Sequence, residues 1–323
     1  MRAAVLDTPG QAPEHKEHPD PAPGAGSTLV TVTAAPIVPL DQLCASGTSY
    51  FGRPATPYVP GVQGVGVVAQ SSVLPEGTRV FFSTTAGMSP GDGSYAERCV
   101  VPDADVVAVD HDVDDAALAA LGMSGVAAWM VLTARGRLAP GERVLVLGAG
   151  GAVGQAAVEA AKLLGAGRVV AVCRSEDAEE RALRAGADEV VRLAGGVDDL
   201  TTRLRDAVGG SVDLVVDPVF GIAATAASRV LADGGRLVNL GGASGDVAEF
   251  SSAVVRSRSA EILGYTNAAL TSEQRRAALA AVVEHAAGGR LAVAHERVPL
   301  AEVTEAWRRQ ASGDAGVRLV LAP

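Results

Sequence analysis

Cysteine is scarce in this chain, and its scarcity excludes two kinds of scaffold. The 323 residues contain three cysteines, Cys44, Cys99 and Cys173, far apart and with no C-x-x-C pair. Neither a disulfide framework nor a structural zinc knot can be built from them, and each reads as a small buried hydrophobe. The five histidines, His15, His18, His111, His285 and His295, are equally scattered; only the first two are close, in a Pro- and Glu-rich stretch that reads as an exposed loop. No strand-to-helix nucleophile elbow supports a Ser-His-Asp arrangement. Positive charge is also in deficit. A formal net charge of -10 leaves no broad basic face for nucleic acid or anionic membrane, so the expected partner is a small molecule. No run reaches about 18 consecutive apolar residues, and MRAAVLDTPGQAPEHKEH lacks a signal-peptide core, which leads to the expectation of a cytoplasmic protein.

What is abundant is glycine after a strand. In Val144 to Ala166, VLVLGAGGAVGQAAVEAAKLLGA, an apolar run of strand length breaks into Gly148, Gly150, Gly151 and Gly154, with Ala152 and Val153 between the last two. A helix follows, its apolar positions Val153, Ala157, Val158, Ala161 and Leu164 recurring at three- and four-residue intervals. Such a strand, turn and helix holds a pyrophosphate: glycines allow a tight turn and close backbone approach, and the helix N-terminus offers unpaired N–H groups. The spacing is G-x-x-G-x-x-G rather than strict G-x-G-x-x-G, a turn that methyltransferases and flavoproteins share, so the next strand matters. It runs Arg168 to Val172 and ends at Cys173, Arg174 and Ser175. About 20 residues beyond the last glycine an acidic residue would bind the ribose 2′-hydroxyl of NAD. Arg174 stands there instead. A guanidinium pairs with a 2′-phosphate and Ser175 adds a hydroxyl donor, which favours NADPH.

The length suggests two domains. Residues 1 to about 110 read as short strands and turns, the text of an open barrel or sandwich. Within them Val38 to Gln70 is dense in Gly and Pro and reads as functional loop, carrying Asp41, Tyr50 and Tyr58. Helices at Asp114 to Leu121 and Gly125 to Gly136 lead to the glycine-rich unit. Strands and helices then alternate up to Glu261 to Gly264, the pattern of a parallel sheet with helices on both faces. After Tyr265 the pattern changes: Thr271 with Gln274 makes a capping box for a helix through Ala287, then come strands near Arg297 and Val298 and at Val317 to Leu321. The expected organisation is a first domain of residues 1–121 completed by 266–323, around a nucleotide-binding domain of 122–265.

Several segments, in this order, carry a family resemblance: PGVQGVGVV (60–68), GDGSYAERCVVP (91–102), APGERVLVLGAGGAVGQAA (139–157), LADGGRLVNLGG (231–242) and PLAEVTEAWRRQASG (299–313). Over essentially its whole length the chain resembles the medium-chain dehydrogenase/reductase superfamily, and within it the zinc-independent quinone oxidoreductase branch. The resemblance implies an α/β fold, a GroES-like β-barrel catalytic domain joined to a Rossmann doubly wound parallel sheet, and often a homodimer along the edge strand Glu261 to Gly264. The zinc enzymes of this superfamily hold a catalytic metal with a Gly-His-Glu and a Cys; here Val62 and Gln63 fall where His and Glu would, so no metal is expected. What remains is hydride transfer from NADPH to a quinone, enone or alkenal, with donors stabilising the oxyanion.

Candidate polar groups lie beyond the carboxyl ends of the sheet strands. On the Rossmann side these are Asp217, Gly241, Gly242 and Asn267; on the barrel side, Asp41, Tyr50, Gln63 and Tyr95, with either tyrosine a donor to the substrate carbonyl. The chain departs from the family where Val38 replaces the Asn of Asn-Pro-x-Asp, Ala127 replaces the Thr of Thr-Ala-aromatic, and Gln63 replaces Glu. These losses leave cofactor binding intact and favour a bulky hydrophobic enone over a small quinone. They also make an NADPH-binding protein with little turnover, or a specialised enoyl reductase of secondary metabolism, the alternative readings.

Overall fold

A computed structural model describes all residues 1–323. The chain divides into two compact units, Met1–Gly122 with Val293–Pro323, and Met123–Ala292.

In the first unit β1 (Arg2–Val5) pairs with β2 (Glu14–Glu17), so the stretch holding His15, read as loop, is a strand. β3 (Ser27–Pro36) is the spine of the main sheet. Its Val30, Val32 and Ala34 are buried and alternate with Thr31 and Thr33, the period of a strand with one face on a core. α1 (Pro39–Ser46) follows, set by Pro39 in its first turn and stopped by Gly47 in the left-handed conformation. It was hidden in sequence by the surrounding Gly and Pro. β4 (Gln63–Gln70), β5 (Arg79–Ser83), β6 (Arg98–Pro102) and β7 (Val106–Ala108) complete the unit's first half; β4, β5 and β7 extend the sheet beyond β3, and β6 pairs with β3 as well.

α2 (Asp115–Met130) is two helices run together across Gly122, whose φ of 21° and ψ of -123° are not helical. The stretch Asp115–Arg135 has the length and apolarity to cross a membrane, but it is largely buried in the protein, as core helices are.

The second unit is a six-stranded parallel sheet. Its elements are β8 (Arg143–Leu147), α3 (Ala152–Leu163), β9 (Arg168–Cys173), α4 (Glu176–Arg184), β10 (Glu189–Arg192), α5 (Val197–Val208), β11 (Val212–Asp217), α6 (Gly221–Ser228), β12 (Leu231–Asn239), α7 (Ser252–Ser257) and β13 (Glu261–Gly264). The order β10-β9-β8-β11-β12-β13 reverses direction between β8 and β11, the arrangement of dinucleotide-binding sheets. Strands β8, β9 and β11 are buried almost throughout, which is why they read as continuous Val/Leu runs rather than alternating ones. On β12, Arg236 is buried and gives its guanidinium to Glu142 and to the carbonyls of Gly136, Arg137 and Asp213.

α8 (Ser272–Ala287) starts with the expected Thr271–Gln274 capping box, yet it belongs to this second unit. Trp129 of α2 lies against His285 at 5.3 Å between ring centroids, and Glu159 of α3 accepts from Ala292 N at 2.7 Å. The segment that returns to the first unit therefore begins at Val293, not at 266: β14 (His295–Pro299), α9 (Val303–Ser312) and β15 (Arg318–Ala322), which pairs antiparallel with β3.

Candidate active site

The site is built from the turn between β8 and α3. Gly148 takes a φ of +62°, where other residues are strained, and turns the chain off the strand. A Cβ on Gly154 would stand 2.4 Å from the carbonyl oxygen of Gly148 and 2.5 Å from Cα of Ala149, so only glycine lets α3 start this close to β8. Gly150 is pressed as tightly, its absent Cβ 2.3 Å from Cβ of Ala178 on α4. Gly151 is different. It is the N-cap of α3 and exposed, and a Cβ added there would meet only the Gly148 carbonyl oxygen, at 3.4 Å. Ala152, Val153 and Gly154 form the first turn, whose N–H groups have no partner inside the helix. The cradle fits a pyrophosphate.

Two residues that sequence reasoning missed fix this turn. Gln155 Nε2 and Arg181 Nε both donate to the Gly150 carbonyl, at 2.9 and 3.1 Å. Arg174 follows the end of β9, exposed and making no hydrogen bond or ion pair, while Ser175 caps α4 by accepting from Ala178 N at 3.3 Å.

At the end of β11, Asp217 is fully buried. It accepts from the N–H groups of Val219 and Phe220 and from Asn239 Nδ2, and burial pushes its carboxyl above the usual range. It therefore shapes the backbone at the switch point. Phe220, with a φ of 57°, is strained there, a signal no sequence pattern carries. Gly241 packs against Pro218, its absent Cβ 2.7 Å from that carbonyl oxygen, and Gly242 is exposed beside it. Asn267 is committed within its own unit: Nδ2 donates to Met123 O and Oδ1 accepts from Tyr265.

The barrel candidates separate. Tyr95 is fully buried, donating to Asp41 Oδ2 at 2.6 Å and contacting Pro36 O at 3.0 Å. Asp41, also buried, accepts in addition from the N–H groups of Val38 and Val62, both at 2.9 Å. Gln63 is fully buried, its Nε2 directed at Ala119 O. These three, expected to face substrate, are spent inside the barrel, because a buried carboxylate, amide or hydroxyl must find its partners there. Tyr50 alone is open, 79% exposed against Phe51. Gly87 to Gly91 spells G-x-S-x-G, but Ser89 bridges back to Ala86 and no helix follows it.

Two family models match, the alcohol dehydrogenase GroES-like domain over residues 24–111 and the zinc-binding dehydrogenase over residues 152–284. The chain belongs to the medium-chain dehydrogenase/reductase superfamily. Human quinone oxidoreductase is 29% identical over 313 residues, 93% of this chain and 91% of the relative. A phenolphthiocerol/phthiocerol polyketide synthase of Mycobacterium tuberculosis is 31% identical over 330 residues, 99% of this chain but 15% of the relative. A mycobacterial protein solved in complex with NADPH superposes with a TM-score of 0.88 at 25% identity, covering 100% of both chains.

A superfamily zinc does not fit the residues present. Val62 has no donor atom, the cysteines are all buried apart from one another, and no three His, Cys, Asp or Glu side chains gather to hold a metal ion.

The glycines make unequal predictions. Gly154→Ala should weaken nicotinamide nucleotide binding at least tenfold and lower stability, whereas Gly151→Ala should leave the fold intact; titration of both variants beside thermal unfolding checks this, and equal effects would contradict the geometry. Burial pushes the Asp41 carboxyl from 3.8 up to about 6, against the hydrogen bonds of Tyr95, Val38 and Val62. The folded state thus holds this proton more tightly than the unfolded chain. The stabilisation is complete below about pH 4 and is lost as pH rises through about 6, by up to about 3 kcal/mol. Denaturant unfolding of wild type and Asp41→Asn across this window should show their difference falling with pH; a constant difference would refute it.

Proposed function

We propose that this chain is a zinc-independent, NADPH-dependent reductase of quinones or of activated carbon–carbon double bonds such as enones and alkenals. The observation that carries the reading is Arg174, exposed and unpaired after β9, on a sheet whose switch point opens into the glycine turn. A carboxylate at this position would select NAD; a free guanidinium suits a 2′-phosphate. The structural neighbour solved with NADPH and the human quinone oxidoreductase support the same cofactor and acceptor class. The likeness to a polyketide synthase subunit supports an acceptor from secondary metabolism.

The chemistry that bound NADPH supplies is hydride transfer to an already electrophilic carbon, which needs no metal to polarise an oxygen. The chain's part is to bind and orient. The first-turn N–H groups of α3 hold the pyrophosphate, Arg174 and Ser175 the ribose phosphate, and Asp217 with Gly241 fixes the backbone at the carboxyl ends of β11 and β12. Because Tyr95 is spent on Asp41, the proton for the reduced acceptor comes from another group or from water. The protein works in the cytoplasm as a homodimer joined along β13, an edge strand with one side unpaired in the sheet.

NADPH oxidation against a panel of quinones, enones and alkenals, with NADH in parallel, tests the reading. Turnover should favour NADPH, and Arg174→Asp should shift the preference towards NADH by roughly tenfold or more, the effect of replacing a charge-assisted contact by repulsion. Tight NADPH binding without turnover on any acceptor would point instead to a protein that binds the nucleotide without using it.

A further inference from the structure

Resting on the NADPH reading above, we infer that Arg181, on the second turn of α4, is a second specificity-determining contact for the 2′-phosphate. Its Nε–H donates to the Gly150 carbonyl at 3.1 Å, which spends one of its five N–H groups. The two terminal nitrogens have no acceptor in the protein, and the side chain, half-buried, makes no ion pair.

Its position is bracketed on two sides. On one it touches Gly150, in the turn that receives the pyrophosphate. On the other it lies close enough to the Cys173 thiol to act on it electrostatically, and Cys173 immediately precedes Arg174. In a dinucleotide-binding sheet the adenosine ribose sits between that turn and the end of the second strand. Arg181 borders both. The reach is set by packing: Ala178, one helical turn earlier on the same face, is the residue pressed against Gly150.

The local charge favours a second cation. The first turn of α4 carries Glu176, Asp177 and Glu179. Arg192, opposite Cys173 in the β10–β9 register, is committed to Glu179 and lies 4.0 Å from Glu176. Arg174 alone would have to offset Asp177 and still hold a dianion. Arg181 supplies the missing charge, and its tie to Gly150 holds the guanidinium in place before the ligand arrives.

The test uses Arg181→Ala and Arg181→Gln, the glutamine retaining a donor for the Gly150 carbonyl while removing the charge. Dissociation constants for NADPH, NADH and 2′,5′-ADP are measured by titration of the full-length protein, with wild type alongside. Both variants should weaken NADPH and 2′,5′-ADP by roughly tenfold to a hundredfold and NADH less than about threefold. Equal weakening of NADPH and NADH would overturn the inference and reduce Arg181 to a brace for the turn; so would unchanged binding of all three. A wild-type protein without preference for NADPH would defeat the cofactor reading itself, a result separate from a variant that keeps wild-type preference. Should the alanine variant fail to fold, the glutamine variant decides by the same criteria.

Discussion

The close approach of backbone to backbone, α3 against the end of β8 at Gly154 and Gly148, is the constraint on which the second unit depends. With 2.4 Å between the Gly148 carbonyl oxygen and the place a Gly154 Cβ would occupy, the helix starts directly over the strand end. Its free N–H groups are thereby aimed into the region where the strand order reverses. α4 is drawn in by the same turn, through Ala178 against Gly150 and Arg181 on the Gly150 carbonyl. The pyrophosphate-shaped cradle is a property of where two glycines permit a helix to begin, not of any one side chain.

The first unit follows a different logic. Asp41, Tyr95 and the N–H groups of Val38 and Val62 form a closed hydrogen-bonded group that ties the start of α1 to the segment entering β4. Arg318 of β15 donates to Ile37 O beside it. Residues that look catalytic in sequence thus hold the barrel together. Each is polar, each is buried, and their demands are met by one another.

Much of this was legible in the residues. The glycine turn, the alternation of strands and helices, the α8 capping box and the break at Gly122 follow from periodicity and from local backbone chemistry, which act over a few residues. What was not legible depends on contacts across long sequence separations. Tyr95 and Asp41 are 54 positions apart, and nothing in either neighbourhood shows that one donates to the other. Arg181 carried a faint signal, a cation seven residues after Arg174 on a helix leaving the nucleotide strand, but its contact with Gly150 spans 31 positions. The attachment of α8 to the second unit likewise rests on packing such as Trp129 against His285, which capping signals do not report.

With valine at position 62, where the zinc enzymes of this superfamily carry histidine, the proposed hydride transfer is one that needs no metal. The most direct measurement is NADPH consumption with a quinone acceptor, followed by nicotinamide absorbance, on protein treated exhaustively with chelator and then with added zinc. Full turnover after chelation and no gain from zinc are the expected results. Loss of activity on chelation that zinc restores would contradict the metal-free route.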